Sequence, residues 1–212
     1  MKKFARLLRL GAALAATILL VSCIGVDISA KIEASGSGSM SVEYRIAEAF
    51  VSFGQQESDP GLPLPLSKSE IEQSLQNHKG LSLTSYEMKK SGTDTIISFK
   101  IAFDSPERLA AYLDSEGKLA RYESIGGISK LTLSTGDILP PMDSQTKTAF
   151  QDSLKPYRFR FAFESASGAP EATIVDGNYF SRKIEGKKAI IEASIADILL
   201  SEKPAEIEFR WK

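Results

Sequence analysis

The chain has 212 residues, 26 Lys and Arg against 27 Asp and Glu, one His and one Cys. A single cysteine cannot form an intramolecular disulfide, so packing must stabilise the fold, and this length is enough for one sizeable core. Four of the cations lie within the first nine residues, and removing them leaves 22 Lys and Arg against the same 27 acidic side chains. That acidic remainder argues against nucleic-acid binding and against electrostatic docking of the whole body on anionic lipid.

The first 22 residues have the pattern of an export signal. Lys2, Lys3, Arg6 and Arg9 form a basic start, and every residue from 10 to 21 is apolar, Gly or Thr. This run is shorter than the ~20 apolar residues that a membrane-spanning helix needs. The alternative is a buried N-terminal helix, but four unpaired cations would make it a poor core element. We therefore predict a signal peptide over residues 1–22.

Cys23, the only cysteine, ends this apolar run. The three residues before it are Leu20, Val21 and Ser22. This order of aliphatic, tolerant and small residues before Cys resembles the lipobox of bacterial lipoproteins. The resemblance implies that the Cys23 thiol receives a diacylglycerol and that residues 1–22 are removed. Two or more acyl chains hold a protein stably on a membrane, here on the exported face of the cell membrane or outer membrane. The alternative is ordinary secretion, with a free thiol left over.

The chain after Cys23 predicts a β-hairpin with no tether before it. Apolar and polar residues alternate on both sides of a Gly/Ser segment at residues 35–39. The apolar positions of the two strands are Val26, Ile28, Ile32, Val42, Tyr44 and Ile46. This alternation predicts two half-buried strands joined by a turn. A phosphate-binding loop is the alternative for Gly36 and Gly38, but the third glycine and the following helix pattern are missing.

Helices and strands then alternate to the end of the chain. Ser67 and Glu70 form a capping box, and Ser105 before Pro106 is a second helix start. A third helix is predicted near Asp143. Further strands are predicted at residues 81–89, 95–103, from 128, 157–163, 188–194 and 207–211, with a short helical turn at 195–200. Strands with one polar face predict an α+β fold: largely antiparallel sheet or sheets with about three helices on one face, in a single domain over residues 23–212.

The segment from Cys23 to Arg45 resembles the small envelope lipoproteins of the LppM-like group. In that group a strand-rich domain starts just after the lipid-bearing cysteine, and a Gly/Ser turn follows its first strand. The resemblance implies a non-enzymatic envelope protein and supplies no catalytic residues.

No pattern in the sequence indicates catalysis or a cofactor. His78 is the only histidine and lies at the end of a polar helix, where a surface residue near the helix dipole is expected. A Gly-x-Ser-x-Gly elbow, a zinc ligand set and a calcium loop are all missing from the sequence. The carboxylate pairs Glu70/Glu72 and Glu206/Glu208 are predicted on solvated faces. We therefore predict no metal, no cofactor and no catalytic residue.

Two apolar, proline-rich segments at residues 60–66 and 139–142 could make contacts. Their candidate contact or ligand residues are Leu62, Leu64, Leu66, Leu139 and Met142. Prolines bar both segments from a central strand. They could contact a partner, a bound lipid or the bilayer, or their side chains could cap the core. The aromatic strand at residues 157–163 could likewise line a ligand cavity or pack in the core.

Three functions are compatible with these patterns. The first is a lipid-anchored envelope protein that acts through contacts with a protein or lipid partner at the membrane surface. The second is a lipid-anchored carrier with an apolar cavity for a hydrophobic ligand, and an open cavity near Leu62, Leu64 and Phe161 would support it. The third is a hydrolase with an unrecognised carboxylate site, which requires carboxylates that converge in a cleft.

Overall fold

The computed structural model describes residues 24–47, 65–114, 116–136 and 142–212. The lipobox residues Leu20, Val21, Ser22 and Cys23, and the candidate contact residues Leu62, Leu64 and Leu139, lie outside the described residues. The described elements are β1 Ile24–Ile32, β2 Gly38–Ala47, α1 Lys68–Gln76, β3 Leu81–Ser91, β4 Asp94–Phe103, α2 Pro106–Leu113, β5 Ala120–Ile125, β6 Ile128–Ser134, α3 Ser144–Leu154, β7 Arg158–Ser165, β8 Glu171–Val175, β9 Ser181–Glu185, β10 Lys188–Ser194, α4 Ile195–Leu199 and β11 Glu206–Trp211. The predicted α+β class is confirmed.

The strands form two sheets. Sheet A has seven strands in the order β3-β4-β2-β1-β7-β10-β9, and sheet B has four in the order β5-β6-β11-β8. All the strand pairs are antiparallel except β1 with β7, where Val26 lies opposite Phe159 in a parallel ladder. The largely antiparallel arrangement is therefore confirmed, and β1 occupies the middle of sheet A.

The structure explains why glycine occupies positions 36 and 38 at the β1–β2 turn. Gly36 has a positive φ of 86°, a conformation that side chains with a Cβ disfavour. Gly38 begins β2 with so little space that a Cβ would lie 2.1 Å from the Lys31 carbonyl oxygen and 2.5 Å from the Phe103 ring. The Gly-x-Gly pattern is thus explained by a hairpin turn and a close strand contact.

The helices begin where the sequence places their caps. The Ser67 side chain accepts a hydrogen bond from the Glu70 backbone N–H, and the Ser67 N–H donates to the Glu70 carboxylate, which completes the capping box of α1. Ser105 caps α2 in the same way and Pro106 occupies its first turn. Asp143 caps α3 by accepting from the Thr146 N–H. These local hydrogen bonds satisfy backbone donors that lack partners within a helix.

One core fills the space between the inner face of sheet A and the elements that cover it. Ile71 of α1 and Leu109 of α2, both 0 % exposed, belong to the part of the core formed with β2, β3 and β4. The part formed with β1, β7 and β10 is covered by sheet B, whose Phe209 lies 5.3 Å from Phe161 and 5.1 Å from Phe163 between ring centroids. Helices cover one half of the sheet and a second sheet covers the other.

A second, smaller apolar cluster joins α3 to α4. Its buried members are Phe150, Leu154, Tyr157 and Ala196. The Ile195 N–H donates to the Tyr157 carbonyl oxygen, which fixes the start of α4 beside the start of β7. The cluster therefore lies near the end of sheet A where β1 begins.

Candidate functional site

The described part of the chain begins in the central strand of sheet A. Ile24, the first described residue, is already paired with Ile46 on β2, and two residues later Val26 is paired with both Tyr44 and Phe159. We call this end of the strands the Ile24 end. The opposite end of the strands, the Ser37 end, contains the β1–β2 turn. Any group attached to residue 23 would therefore be one residue from a strand hydrogen-bonded on both sides.

The outward surface of β1 to β4 carries a shallow depression of about 650 Å³, which we call the open face. Two cross-strand rows form it. Ser85, Lys100, Ser41 and Ser29 make the first row, which we call the serine row. Glu87, Ser98, Glu43 and Asp27 make the second, which we call the acidic row. Short hydroxyl side chains leave room above the sheet, and the carboxylates and Lys100 supply charge at its borders. This surface can hydrogen-bond a polar partner.

Ion pairs tie the acidic row to the neighbouring strands. Arg160 on β7 donates to Asp27 on β1 at 3.0 Å and to Glu192 on β10 at 3.2 Å. The Ser98 hydroxyl donates to Glu43 at 3.1 Å. The side chains of Asp27, Glu192 and Arg160 remain 48 %, 38 % and 31 % exposed. These contacts position the carboxylates on a solvated surface, where their charge is largely screened.

The carboxylates of the described residues do not form an acid–base pair in a cleft. Asp27 and Glu43 lie opposite each other on adjacent strands, but Asp27 is paired with Arg160 and the surface above them is open. A general acid needs a raised pKa, which enclosure or an unpaired like charge would supply. Every resolved carboxyl pKa shift in the described part of the chain is downward. Among the described residues, no carboxylate pair has the enclosed geometry that the hydrolase hypothesis requires.

The outer surface of sheet B is covered by its own ion pairs. Lys130 lies 2.9 Å from Glu123 and 3.5 Å from Glu208, and Arg210 lies 2.6 Å from Glu208. Partial burial raises the pKa of Glu208, but Arg210 and Lys130 outweigh it and the net shift is downward. Beneath this layer the Thr132 hydroxyl is buried without a hydrogen-bond partner among the described residues. Because its charged side chains already form ion pairs with one another, this surface is less suited to a charged partner than the open face is.

Leu66 and Met142, the two predicted contact residues that the structure describes, are both half-buried. Leu66 is half-buried against the main core, its N–H donates to Glu70, and its carbonyl oxygen accepts a 2.7 Å hydrogen bond from the Tyr86 hydroxyl. Met142 is half-buried next to the cap of α3. His78 meets the Tyr112 ring edge-on, with ring centroids 5.5 Å apart. Leu66 and Met142 are far apart in sequence, and no contact common to both is observed among the described residues.

The aromatic strand packs in the core. Phe161 and Phe163 are 1 % and 0 % exposed, and Phe163 also lies 4.9 Å from Trp211 between ring centroids. The space beside Phe161, where an open cavity would have supported a carrier, is filled by aromatic side chains. The carrier hypothesis has no support at this position.

Within residues 24–47, 65–114, 116–136 and 142–212, no group of three or more His, Cys, Asp and Glu side chains is arranged to hold a metal ion. No helix in that same part of the chain has both the length and the apolar character needed to cross a bilayer.

Comparisons with known proteins leave the family undefined. No family model matches the chain, and no curated protein sequence matches it. Among solved structures, the folded domain of the LppM protein of Mycobacterium tuberculosis is similar at a TM-score of 0.47 and 9 % identity, over 90 % of each chain. This similarity is too low to define a family.

Proposed function

We propose that this chain is a lipid-anchored protein of the bacterial envelope that acts through contacts at the membrane surface and not through catalysis. The observation that carries the proposal is the position of β1. Its first residue directly follows Cys23, and the strand is paired on both sides in the middle of sheet A. An anchor at Cys23 would therefore hold the whole sheet, because a central strand cannot move without breaking two ladders.

Because no linker residues separate Cys23 from β1, an anchored domain could not reach far from the membrane. A lipoprotein with a long flexible linker can reach far from the bilayer, since its reach grows with linker length. Here β1 begins at Ile24, so the Ile24 end would stay within a few ångströms of the headgroups. The partner of such a domain would lie at or near the membrane surface.

The open face is the surface that we assign to this partner. Its hydroxyl groups and its carboxylates offer hydrogen-bond acceptors, and Lys100 offers a donor. The open face lacks a covering layer of described helices or strands, unlike the inner face of the same sheet. The chemistry fits a polar protein segment or another polar envelope component.

Metabolic labelling with a palmitate analogue tests the anchor. Wild-type chain should incorporate the label and partition with membranes, and Cys23→Ser should do neither. The double variant Cys23→Ser/Ser35→Cys is the matched control, because it restores one thiol in the exposed β1–β2 turn without a lipobox. Labelling of the double variant would mean that acylation follows any thiol. Equal labelling of wild type and Cys23→Ser would refute the anchor.

Site-specific photo-crosslinking in native membranes tests the open face. A photoreactive residue at Ser41 or Ser85 should give a discrete adduct that survives solubilisation. The matched control is Glu171, which is exposed on the outer surface of sheet B. Adducts of the same size and yield from Glu171, or none from Ser41 and Ser85, would contradict contact through the open face.

A further inference from the structure

Three cations form a row across sheet A at the Ile24 end. Lys89 on β3 lies opposite Ile96 on β4, Ile96 lies opposite Arg45 on β2, and Arg45 lies opposite Gly25 on β1. The backbone of Arg158, at the start of β7, is the next neighbour of Gly25. We call Lys89, Arg45 and Arg158 the basic row. Their side chains are all exposed on the outward surface.

Gly25 places no side chain between Arg45 and Arg158 in the basic row. A Cβ at this position would lie 3.5 Å from the Arg158 carbonyl oxygen and 3.7 Å from the Arg45 Cβ, in ordinary contact, so glycine is not forced there by crowding. Gly25, Arg45 and Arg158 line a depression of about 270 Å³, which is also lined by Arg160 and by the carboxylates of Asp27, Glu43 and Glu192. Gly25 is two residues from Cys23 along the chain, whereas Asp27, the first charged residue of β1, is four residues from it.

The charges of the basic row are largely uncompensated. Neither Lys89 nor Arg158 forms an ion pair with any described residue. Arg45 has one long contact, 3.7 Å from its guanidinium to the Asp94 carboxylate, and its side chain is 51 % exposed. At least two of the three cations are therefore available to an external anion.

The sign of the charge reverses two residues further along the strands. The acidic row places Glu87, Glu43 and Asp27 there, and Glu192 follows on β10. Asp27 and Glu192 are paired with Arg160, whereas Glu43 and Glu87 form no ion pair with a described residue. Charge on this surface thus changes sign from the basic row to the acidic row along the strand direction, and Asp94, the partner of Arg45, lies one row beyond the basic row at the Ile24 end.

We infer that the basic row binds the phosphates of anionic lipid headgroups and, with the acidic row, holds the domain upright on the membrane. This inference rests on the proposed anchor at Cys23. Arginine donates paired hydrogen bonds to phosphate, and cations next to a membrane anchor are attracted to an anionic leaflet. Tilting the open face onto the bilayer would press Glu43 and Glu87 against phosphates. The net acidic charge of the body therefore does not prevent a local basic contact.

The chain contains its own reporter of this orientation. Trp211 is the only tryptophan, and its ring lies 4.9 Å from that of Phe163. Phe163 lies opposite Ala30, six residues beyond Ile24 on β1. At about 3.3 Å per residue, an upright domain holds Trp211 roughly 20 Å further from the headgroups than Ile24. A domain that tumbles or lies flat brings Trp211 closer on average.

Energy transfer from Trp211 to dansyl-labelled headgroups measures this distance. The mature lipidated chain is reconstituted in phosphatidylcholine vesicles, with or without phosphatidylglycerol. The test variant is Lys89→Gln/Arg45→Gln/Arg158→Gln. The matched control, Lys31→Gln/Lys183→Gln/Lys188→Gln, removes the same charge from exposed positions of the same surface nearer the Ser37 end and outside the open face.

Wild type should show weaker transfer on the phosphatidylglycerol vesicles than on phosphatidylcholine alone, and high salt should remove the difference. Each cation near the surface strengthens the attraction to an anionic membrane about fivefold. The test variant should therefore lose roughly a hundredfold of its preference for phosphatidylglycerol vesicles and give equal energy transfer on both kinds of vesicle. The control should behave as wild type. Equal transfer for wild type on both vesicles, or a difference that persists in the test variant, would overturn the inference.

Vesicle flotation separates a failure of the anchor from a failure of the basic row. A chain that does not float with vesicles has no lipid, which contradicts the proposed function. That chain is then coupled through the Cys23 thiol to maleimide-bearing vesicles of the same compositions, and the same transfer comparison is made. Circular dichroism of each variant confirms that the fold is retained before its transfer is interpreted.

Discussion

Truncation of Phe161 distinguishes a filled core from a ligand cavity. Its ring is 1 % exposed, lies 5.3 Å from Phe209, and stacks at 6.5 Å on Phe163. Phe→Ala at a buried site lowers the free energy of unfolding by about 3–5 kcal/mol, of which each aromatic pair contributes about 0.5–1.5 kcal/mol. A domain of this kind has a total stability of about 5–15 kcal/mol. Phe161→Ala should therefore remove a large fraction of it.

Guanidinium denaturation of the Cys23→Ser chain measures this loss. Trp211, which contacts Phe163, reports unfolding by fluorescence. Phe161→Leu should lose less than Phe161→Ala, because it retains most of the apolar volume. Ile128→Ala is the matched control: Ile128 is 49 % exposed, and its truncation should change stability by no more than about 0.5 kcal/mol. A double-mutant cycle with Phe209→Ala should give a coupling energy of at least about 0.5 kcal/mol.

A loss below about 1 kcal/mol for Phe161→Ala, at an unchanged denaturant slope, would falsify the assignment of Phe161 to a packed core. An unchanged slope is needed because a changed slope signals an altered denatured state or a loss of two-state behaviour. Co-purification of a hydrophobic ligand with wild type and its loss in Phe161→Ala would further favour the carrier hypothesis.

Three further predictions concern the elements that shape the domain. Ser67→Ala should cost about 1 kcal/mol by removing the cap of α1. The pKa of Glu70 is lowered from 4.5 because the Ser67 and Leu66 backbone N–H groups donate to it, so its stabilising effect is complete above about pH 4.5 and is lost as the pH falls through the lowered value. Glu70→Gln should flatten that part of the pH–stability curve, and an unchanged curve would contradict the capping box. Gly38→Ala should destabilise the domain by more than about 2 kcal/mol, because its Cβ would clash with Lys31 and Phe103. Gly36→Ala should cost about 1 kcal/mol from its positive φ alone, because its Cβ meets nothing within 4 Å. Equal losses for the two variants in thermal unfolding would argue against the close contact at Gly38. Thr132→Val should leave stability unchanged or raise it by about 1 kcal/mol, because it removes a buried hydroxyl that has no hydrogen-bond partner among the described residues. A clear loss in denaturant titration would reveal a hydrogen bond at that position.

Local patterns in the sequence predict most of the elements. The alternation in β1, β2, β4 and β7 has a period of two because successive side chains point to opposite faces. The helix starts at Ser67, Ser105 and Asp143 depend on hydrogen bonds that span three residues. Such features need no information from distant parts of the chain, so the sequence is sufficient to predict them.

The strand β5 was missed because its sequence lacks an apolar face. Only Ala120 of Ala120–Ile125 is buried, and its small side chain gives little alternation. Pairing with β6 across the Gly126-Gly127 turn makes this segment a strand. The parallel pairing of β1 with β7 was also beyond prediction, because it joins segments that are more than 100 residues apart.

The sequence by itself determined the predicted lipid anchor at Cys23 and the lack of a tether after it, since both depend on adjacent residues. It also determined the net charge of the body. The tertiary structure alone decided that the strand next to Cys23 is the centre of a seven-stranded sheet. It also decided that Lys89, Arg45 and Arg158 form one row beside Gly25. The reason is that register between strands distant in sequence is set by the packing of the whole core, and this register determines which charges become neighbours.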